Sequence, residues 1–148
     1  IGVKVQIIDS KLTYDIRRRI LWPHIKDNNY SIKEDKDINT FHLGTFLDDK
    51  IISIGTFIKE ENSKFESHSQ YRLRAMATDK KHQIKGGGRE LFLKGIEILK
   101  NKKINILWCD ARINAIDFYK KLNMKNIPGL YNIKNIGLHQ TMFINLNQ

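Results

Sequence analysis

The sequence is poor in the residues that hold small secreted domains or metal sites together. It has a single cysteine, Cys109, in 148 residues, so no internal disulfide can form. Its five histidines are scattered, with no pair four residues apart and no Cys-x-x-Cys motif beside them. Because clustered His and Cys residues are the usual zinc ligands, the sequence predicts no metal site.

Long apolar runs are also missing from the chain. No stretch approaches the roughly 18 to 20 apolar residues that a membrane-spanning helix needs, and the opening IGVKVQIID lacks the features of a signal peptide. We therefore expect a cytoplasmic protein with no membrane partner. Hydrophobic residues make up 41% and charged residues 28% of the sequence, which predicts one globular domain over residues 1–148.

Positive charge is in excess, with a formal net charge of +10 at pH 7. Such an excess suits nucleic acid, an anionic membrane surface or a phosphorylated cofactor, and charge alone does not choose among them. The run Arg17-Arg18-Arg19 could attract an acidic substrate or nucleic acid. A charge run on a helix is, however, usually a solvated face.

Hydrophobic periodicity divides the chain into alternating strands and helices. Alternation over residues 4–8 predicts a strand, and apolar residues at helical spacing predict a helix that Pro23 ends. The polar connection Asp48-Asp49-Lys50 between two β-rich runs indicates a hairpin. The predicted strands are 4–8, 40–47, 51–58, 70–78, 104–109 and 141–146, and the predicted helices are 13–22, 89–100 and 114–122. This order predicts an α/β fold with a mixed sheet and helices on both faces.

Three consecutive glycines, Gly86 to Gly88, follow a predicted strand and precede a predicted helix. In that geometry successive backbone N–H groups can converge on an anion at the helix N-terminus. The cations Lys80, Lys81, Lys85 and Arg89 surround the loop. Neither the P-loop pattern nor the dinucleotide-binding glycine pattern is met. The loop is therefore either a different kind of phosphate site or a flexible turn before a helix.

The wider pattern favours a phosphate site, because Gln83-x-x-Gly86-x-Gly88 resembles the Gln/Arg-x-x-Gly-x-Gly/Ala signature of the GNAT N-acetyltransferase superfamily. Residues 73–79 resemble the family's preceding strand, and residues 106–112 and 115–124 resemble its later strand and helix. These segments and the glycine loop lie between residues 73 and 124, about a third of the chain. The resemblance implies the GNAT fold, a mostly antiparallel twisted sheet whose fourth and fifth strands splay apart.

The same resemblance implies that the chain uses acetyl-CoA. In the family, the splayed strands take up the pantetheine arm and the glycine loop binds the pyrophosphate. Arg112, Ile84, Gly87 and Asn123 depart from the family's usual residues at their positions. The cofactor-binding residues that the resemblance implies are Met76, Ala77, Thr78, Gln83, Ile84, Lys85, Gly86, Gly87, Gly88, Arg89, Arg112, Asn114 and Phe118.

The chemistry implied is transfer of an acetyl group to a primary amine of a small molecule or peptide, by direct attack in a ternary complex. Tyr119 matches the family's proton donor for the leaving thiolate, and a phenol of ordinary pKa, about 10, is protonated at neutral pH. The alternative for Tyr119 is a buried aromatic on an amphipathic helix. Cys109 lies in an apolar strand and is expected to be a buried structural thiol.

Several residues remain unranked from sequence. The candidates for a base that deprotonates the amine are Glu60, Glu61, Glu66, His68 and Asp110. The family places acceptor-binding residues on its first helices and its late hairpin, which makes His24, His42, Tyr131 and His139 candidate pocket residues.

Two other functions stay open. One is a module that binds CoA or acyl-CoA without turnover. The other, ranked last, is a basic nucleic-acid-binding domain, because the sequence lacks RNA-binding motifs and interleaved basic and aromatic residues. Dimers are common in the GNAT superfamily, so a homodimer also remains open.

Overall fold

The main feature of the fold is a mixed sheet of eight strands. The computed structural model describes residues 2–147, and of Ile84 the backbone alone. The strands are β1 (Lys4–Ile8), β2 (Phe41–Leu47), β3 (Lys50–Ile58), β4 (Gln70–Thr78), β5 (Ile106–Arg112), β6 (Lys125–Asn126), β7 (Tyr131–Ile133) and β8 (Gly137–Asn145). The helices are α1 (Tyr14–Ile16), continued by a π-helical turn over Arg17–Leu21, α2 (Gly87–Asn101) and α3 (Ile116–Lys121).

The strands lie in the order β1-β2-β3-β4-β5-β8-β6, and β7 pairs with β8. The pairs β1–β2, β2–β3, β5–β8, β6–β8 and β7–β8 are antiparallel, whereas β4–β5 is parallel. The predicted α/β mixed sheet is therefore confirmed. In the described part of the chain, no helix is long and apolar enough to cross a membrane.

The chain forms two compact units. The first consists of Ile1–Lys59 and Leu73–Ile98, and the second of Glu60–Arg72 and Leu99–Gln148. Strand β4 runs through both, because residues 70–72 belong to the second unit and residues 73–78 to the first.

The first unit has an apolar core between its strands and helices. Ile8, Ile16, Ile54 and Ala77 form a buried cluster, with Ile20, Leu21, Phe46 and Ile51 packed against it. The β2–β3 hairpin turns tightly because Asp48 adopts a left-handed conformation with φ 53°, which Asp tolerates better than most residues.

Helix α2 approaches β3 so closely that a glycine is needed at the contact. A Cβ atom added at Gly95 would lie 2.3 Å from Cζ of Phe57. Phe57 is fully buried and stacks on Phe41 with ring centroids 4.8 Å apart, so its ring has little room to move.

We expect Gly95→Ala to destabilise the protein, although alanine favours helix by about 1 kcal/mol over glycine. Overpacking against Phe57 should lower the free energy of unfolding by about 1 to 3 kcal/mol, measured by urea unfolding. Lys100→Ala, at an exposed position of the same helix, serves as the control and should change stability by less than about 0.5 kcal/mol. An unchanged midpoint for Gly95→Ala would contradict the close contact.

The second unit is built on the long antiparallel pair β5–β8, whose register runs from Ile106↔Asn145 to Arg112↔His139. Leu107 and Met142 are fully buried in it. Gln70, 2% exposed, holds the segment before β4 in place. Its amide nitrogen donates to the carbonyl of Ser67 at 2.7 Å, and its amide oxygen accepts from Asn62 N–H at 2.7 Å.

Three sequence predictions need correction. The first helix is not regular, since it passes from a 3-10 turn over Ser10–Thr13 through α1 into a π-helical turn. The last strand begins four residues earlier than predicted, at Gly137, and ends at Asn145. The short strands β6 and β7 were not predicted, because two- and three-residue strands are too short to show a period.

Candidate active site

Asp79, the residue after β4, anchors the start of the loop. Its N–H donates to the carbonyl of Ile52 at 2.8 Å, and its carboxylate accepts from Lys81 N–H at 3.2 Å and pairs with Arg19 at 3.0 Å. Burial would raise the pKa of Asp79, but the hydrogen bonds from Arg19 and Lys81 hold that pKa below its ordinary value. The carboxylate therefore stays ionised and caps the 3-10 turn Lys80–Lys85.

Gly86 joins this 3-10 turn to α2 in the left-handed conformation, with φ 76° and ψ 13°. Residues with a Cβ atom pay a steric cost in that conformation, and glycine does not. The open space around the missing Cβ shows that backbone conformation, not crowding, requires glycine here.

Gly87 begins α2 and is required for the opposite reason, a close approach. A Cβ atom there would lie 2.6 Å from Oγ of Ser53. The hydroxyl of Thr45 donates to the Gly87 carbonyl at 2.8 Å. Strands β2 and β3 thus fix the N-terminus of α2 in position.

The start of a 15-residue helix presents unpaired backbone N–H groups and the positive end of the helix dipole. Lys80, Lys81, Lys85 and Arg89 are exposed around it, and Arg89 pairs with Glu90 at 3.1 Å. This arrangement can bind a diphosphate. Gln83 is exposed as well, Gly88 is buried, and the side chain of Ile84 lies outside the described part of the chain.

The end of β4 leads directly into the loop. Within β4, Ala75 adopts φ 54°, a left-handed conformation that is rare for alanine. Beyond it, Met76 is half-buried, Ala77 is buried, and the hydroxyls of Thr78 and Ser53 are 2.8 Å apart. The parallel register of β4 with β5 covers three residue pairs, from Gln70↔Ile106 to Arg72↔Trp108.

The remaining predicted site residues lie in the second unit. Arg112 ends β5, Asn114 lies in the 3-10 turn Ile113–Ala115, and Phe118 and Tyr119 lie on α3. The rings of Phe118 and Tyr119 meet edge to face, 5.2 Å between centroids. The predicted cofactor residues therefore form two groups. Residues 76–78 and 83–89 are in the first unit, and the other three, Arg112, Asn114 and Phe118, are in the second.

Tyr119 is 6% exposed. Burial and the neighbouring Cys109 raise the pKa of the Tyr119 phenol well above its ordinary value, so it stays protonated at neutral pH. Cys109 is itself buried, and burial raises the pKa of its thiol. The expectation that Cys109 is a buried thiol is confirmed.

The structure separates the five candidate bases. Glu61 and His68 form an exposed pair, with their side chains 56% and 88% accessible, and Glu66 is exposed. Glu60 and Asp110 are bridged by Arg72, at 3.2 Å and 2.8 Å respectively. Both of these carboxylates are thus already engaged with a guanidinium.

Sequence reasoning missed a polar network on one face of the second unit. The Tyr131 hydroxyl donates to Oδ1 of Asp110 and lies 3.2 Å from the hydroxyl of Thr141. Burial and the hydrogen bond to Asp110 raise the pKa of Tyr131 to about 12. The guanidinium of Arg72 lies 5.1 Å from the centre of the Trp108 ring. Alternation along β5 places Trp108 and Asp110 on one face of the strand, and this pattern is visible in the sequence. Predicting the polar network from it would also have required the correct start of β8.

Of the four candidate pocket residues, two come together. Tyr131 and His139 are register partners on β7 and β8, and their rings stack with centroids 6.1 Å apart. His24 is exposed, and His42 is buried in the first unit between Thr56 and the Asp35 carbonyl. Among residues 2–147, no group of three or more His, Cys, Asp or Glu side chains is arranged to hold a metal ion.

Known proteins are similar to this chain in fold and in sequence. The model of the acetyltransferase (GNAT) family matches residues 10–124. The chain is 34% identical over 141 residues to YitI of Bacillus subtilis, an uncharacterized N-acetyltransferase, and the match covers 95% of each protein.

Two solved structures show the likeness of fold. An aminoglycoside 6'-N-acetyltransferase complexed with coenzyme A superposes with a TM-score of 0.80 at 10% identity, covering 98% of each chain. The ribosomal-protein-S18-alanine N-acetyltransferase of Escherichia coli superposes with a TM-score of 0.74 at 15% identity, covering 99% of this chain and 95% of the other. The family match and the identity with YitI show more than fold, and from them it follows that this chain belongs to the GNAT family and is an acyltransferase.

Proposed function

We propose that the protein transfers an acetyl group from acetyl-CoA to a primary amine, by direct attack of the amine on the thioester in a ternary complex. The observation that carries the proposal is the left-handed turn at Gly86, placed at an α2 N-terminus that Thr45 and Ser53 fix in position. Such a loop suits the pyrophosphate of CoA, since it combines convergent N–H groups with exposed cations.

Other residues receive roles in the same proposal. Backbone groups of Met76, Ala77 and Thr78 bind pantetheine and stabilise the oxyanion that forms on the acyl carbonyl. Gln83 to Arg89 bind the pyrophosphate, and Arg112, Asn114 and Phe118 also contact the cofactor. Residues 1–148 then act as one acetyltransferase domain.

Tyr119 has the catalytic role. When the amine nitrogen bonds to the carbonyl carbon, the carbon–sulfur bond breaks and its electron pair leaves on sulfur. The Tyr119 hydroxyl gives that thiolate a proton. Holding amine and thioester together supplies the rest of the rate enhancement.

Calorimetric titration with acetyl-CoA, followed by thiol release in the presence of n-butylamine, spermidine and a lysine-containing peptide, tests the proposal. Saturable binding with amine-dependent thiol release is the expected result. Binding without thiol release for any amine would instead indicate an acyl-CoA-binding module. Absence of binding would contradict both functions.

We expect Tyr119→Phe to lower kcat about 100-fold, the usual contribution of a general acid, and to leave the KM for acetyl-CoA unchanged. Phenylalanine keeps the buried ring in place, so the fold is preserved. Tyr14→Phe, at a half-buried tyrosine of the first unit, is the matched control and should keep full activity. An unchanged kcat for Tyr119→Phe would contradict the proton-donor role.

A further inference from the structure

His139 is a buried residue with one ring nitrogen that makes no hydrogen bond within the described chain. His139 is 3% exposed, and its Nδ1 lies 2.7 Å from the carbonyl oxygen of Gly137. Because a carbonyl only accepts, Nδ1 carries the proton and Nε2 of the neutral ring carries the lone pair. Within the described chain, no donor lies at hydrogen-bond distance from Nε2. Nε2 is not one of the buried unpaired side-chain atoms of the described chain, so it is accessible to a ligand.

The backbone fixes this orientation of the ring. Gly137, two residues before His139, adopts φ 123°, a conformation that favours glycine. Its carbonyl oxygen is the atom that Nδ1 of His139 contacts. The turn before it is closed by the hydrogen bond from Ile136 N–H to Ile133 at 2.9 Å, with Asn135 left-handed at φ 68°. Tyr131 stacks on the ring from the neighbouring strand, with 25° between the planes.

Several of the polar groups around His139 are already engaged with one another. Arg112 lies directly opposite it on β5, and Tyr131 lies opposite it on β7. One oxygen of Asp110 accepts from the Tyr131 hydroxyl and the other accepts from Arg72. The ammonium of Lys64 lies 5.4 Å from the centre of the Tyr131 ring. His139 Nε2 is therefore a basic atom of this network that remains available.

We propose that His139 is the base of the acetyl transfer and binds the acceptor amine through Nε2, an inference that rests on the proposed function. An alkylammonium, with a pKa of about 10.4 like that of lysine, must lose a proton before it can attack. Register places His139 directly opposite Arg112, which itself has a proposed role in binding the cofactor.

The transfer balances with these groups. The ammonium gives one proton to Nε2, and the neutral amine forms the bond to the carbonyl carbon. The carbon–sulfur bond breaks, the thiolate takes a proton from Tyr119, and the amide nitrogen returns its extra proton to Tyr119. The imidazolium then releases its proton to water. The products are the acetylated amine, CoA and one proton.

The test compares two amines in His139→Asn. Asparagine can keep the hydrogen bond to the Gly137 carbonyl but has no atom at the position of Nε2. With n-butylamine, which is protonated at pH 7.5, we expect kcat to fall at least about 100-fold. With methoxyamine, which is neutral at that pH, the loss should be much smaller. The affinity for acetyl-CoA, measured by calorimetry, should not change.

His68→Asn is the matched control, since the His68 side chain is 88% accessible, and it should keep wild-type rates with both amines. Equal losses with both amines in His139→Asn would show a structural role and overturn the proposal, as would an unchanged rate. If the wild type did not bind acetyl-CoA, that result would contradict the proposed function instead.

A second measurement does not depend on a variant that folds. Nitrogen-15 spectra of the wild-type histidine rings should show His139 with the proton on Nδ1 and a bare Nε2. Adding n-butylamine should shift the Nε2 resonance. A proton on Nε2 of the neutral ring, with Nδ1 bare, would overturn the proposal.

Discussion

Gly86→Glu should lose acetyl-CoA binding, with an affinity at least about 100-fold lower than that of the wild type, equivalent to about 2.7 kcal/mol. Two effects add. The left-handed backbone at Gly86, φ 76°, is strained by roughly 1 kcal/mol in a residue with a Cβ atom. The new carboxylate also repels the anionic diphosphate at the α2 N-terminus, where the helix dipole otherwise attracts it.

Two further variants separate these effects. Gly86→Asn tolerates the left-handed conformation and adds no charge, so its affinity should lie between those of the wild type and Gly86→Glu. Gly129→Glu is the control, because Gly129 is also left-handed, at φ 107°, with open space around it, and it should bind acetyl-CoA normally. Calorimetry gives each affinity. If Gly86→Glu bound acetyl-CoA as tightly as the wild type does, the glycine loop would not be part of the cofactor site.

Arg17→Met should lower the free energy of unfolding by about 3 to 5 kcal/mol, because it leaves a buried carboxylate without its partner. Arg17 is fully buried. Its guanidinium donates to both oxygens of Asp35 and to the carbonyl of Tyr30, each at 2.8 Å, and to the hydroxyl of Thr56 at 2.9 Å. Methionine fills similar space and makes none of these bonds.

The loss should depend on pH. Burial alone would raise the pKa of Asp35, but hydrogen bonds from Arg17 and from Ile32 N–H hold that pKa below its ordinary value. A lowered folded-state pKa stabilises the protein above the ordinary pKa of about 3.9, and this contribution is lost as the pH falls through the folded-state pKa. Arg17→Met removes most of this contribution, so its deficit should shrink towards acidic pH.

Urea unfolding at pH 7 and at pH 3 measures both effects. Arg18→Met is the control, since Arg18 is half-exposed and pairs with an exposed Asp15, and such pairs contribute less than about 1 kcal/mol. Asp35→Asn added to Arg17→Met should recover part of the stability by removing the buried charge. A deficit below about 1 kcal/mol for Arg17→Met would show that the ion pair contributes little.

Arg17 also shows how far local patterns reach. As part of Arg17-Arg18-Arg19 it had the appearance of a solvated face, and Arg18 is indeed exposed. Its partners Asp35 and Thr56 lie 18 and 39 residues away. Helical periodicity does not predict contacts over such sequence distances. Arg17 makes them from the irregular π-helical turn, which stands where a regular helix was predicted.

Local sequence patterns by themselves determined the strands β1 and β4, the helix α2 and the glycine turn between β4 and α2, so these elements could be predicted. Alternation of period two, helical periodicity and the conformational freedom of glycine act within a few residues, so they can be read directly from the chain. The same local motif supplied the resemblance to the GNAT family, which the matches over residues 10–124 and to YitI confirm.

Tertiary structure alone decided which polar groups are paired and which remain free. Arg72 meets Asp110 across 38 residues, and Tyr131 reaches Asp110 across 21. These contacts occupy both oxygens of Asp110, which the sequence had left as a candidate base, while Nε2 of His139 stays free. The physical reason is that hydrogen bonding and burial depend on which strands become neighbours, and the pairing of β5 with β8 and of β7 with β8 is a property of the folded sheet.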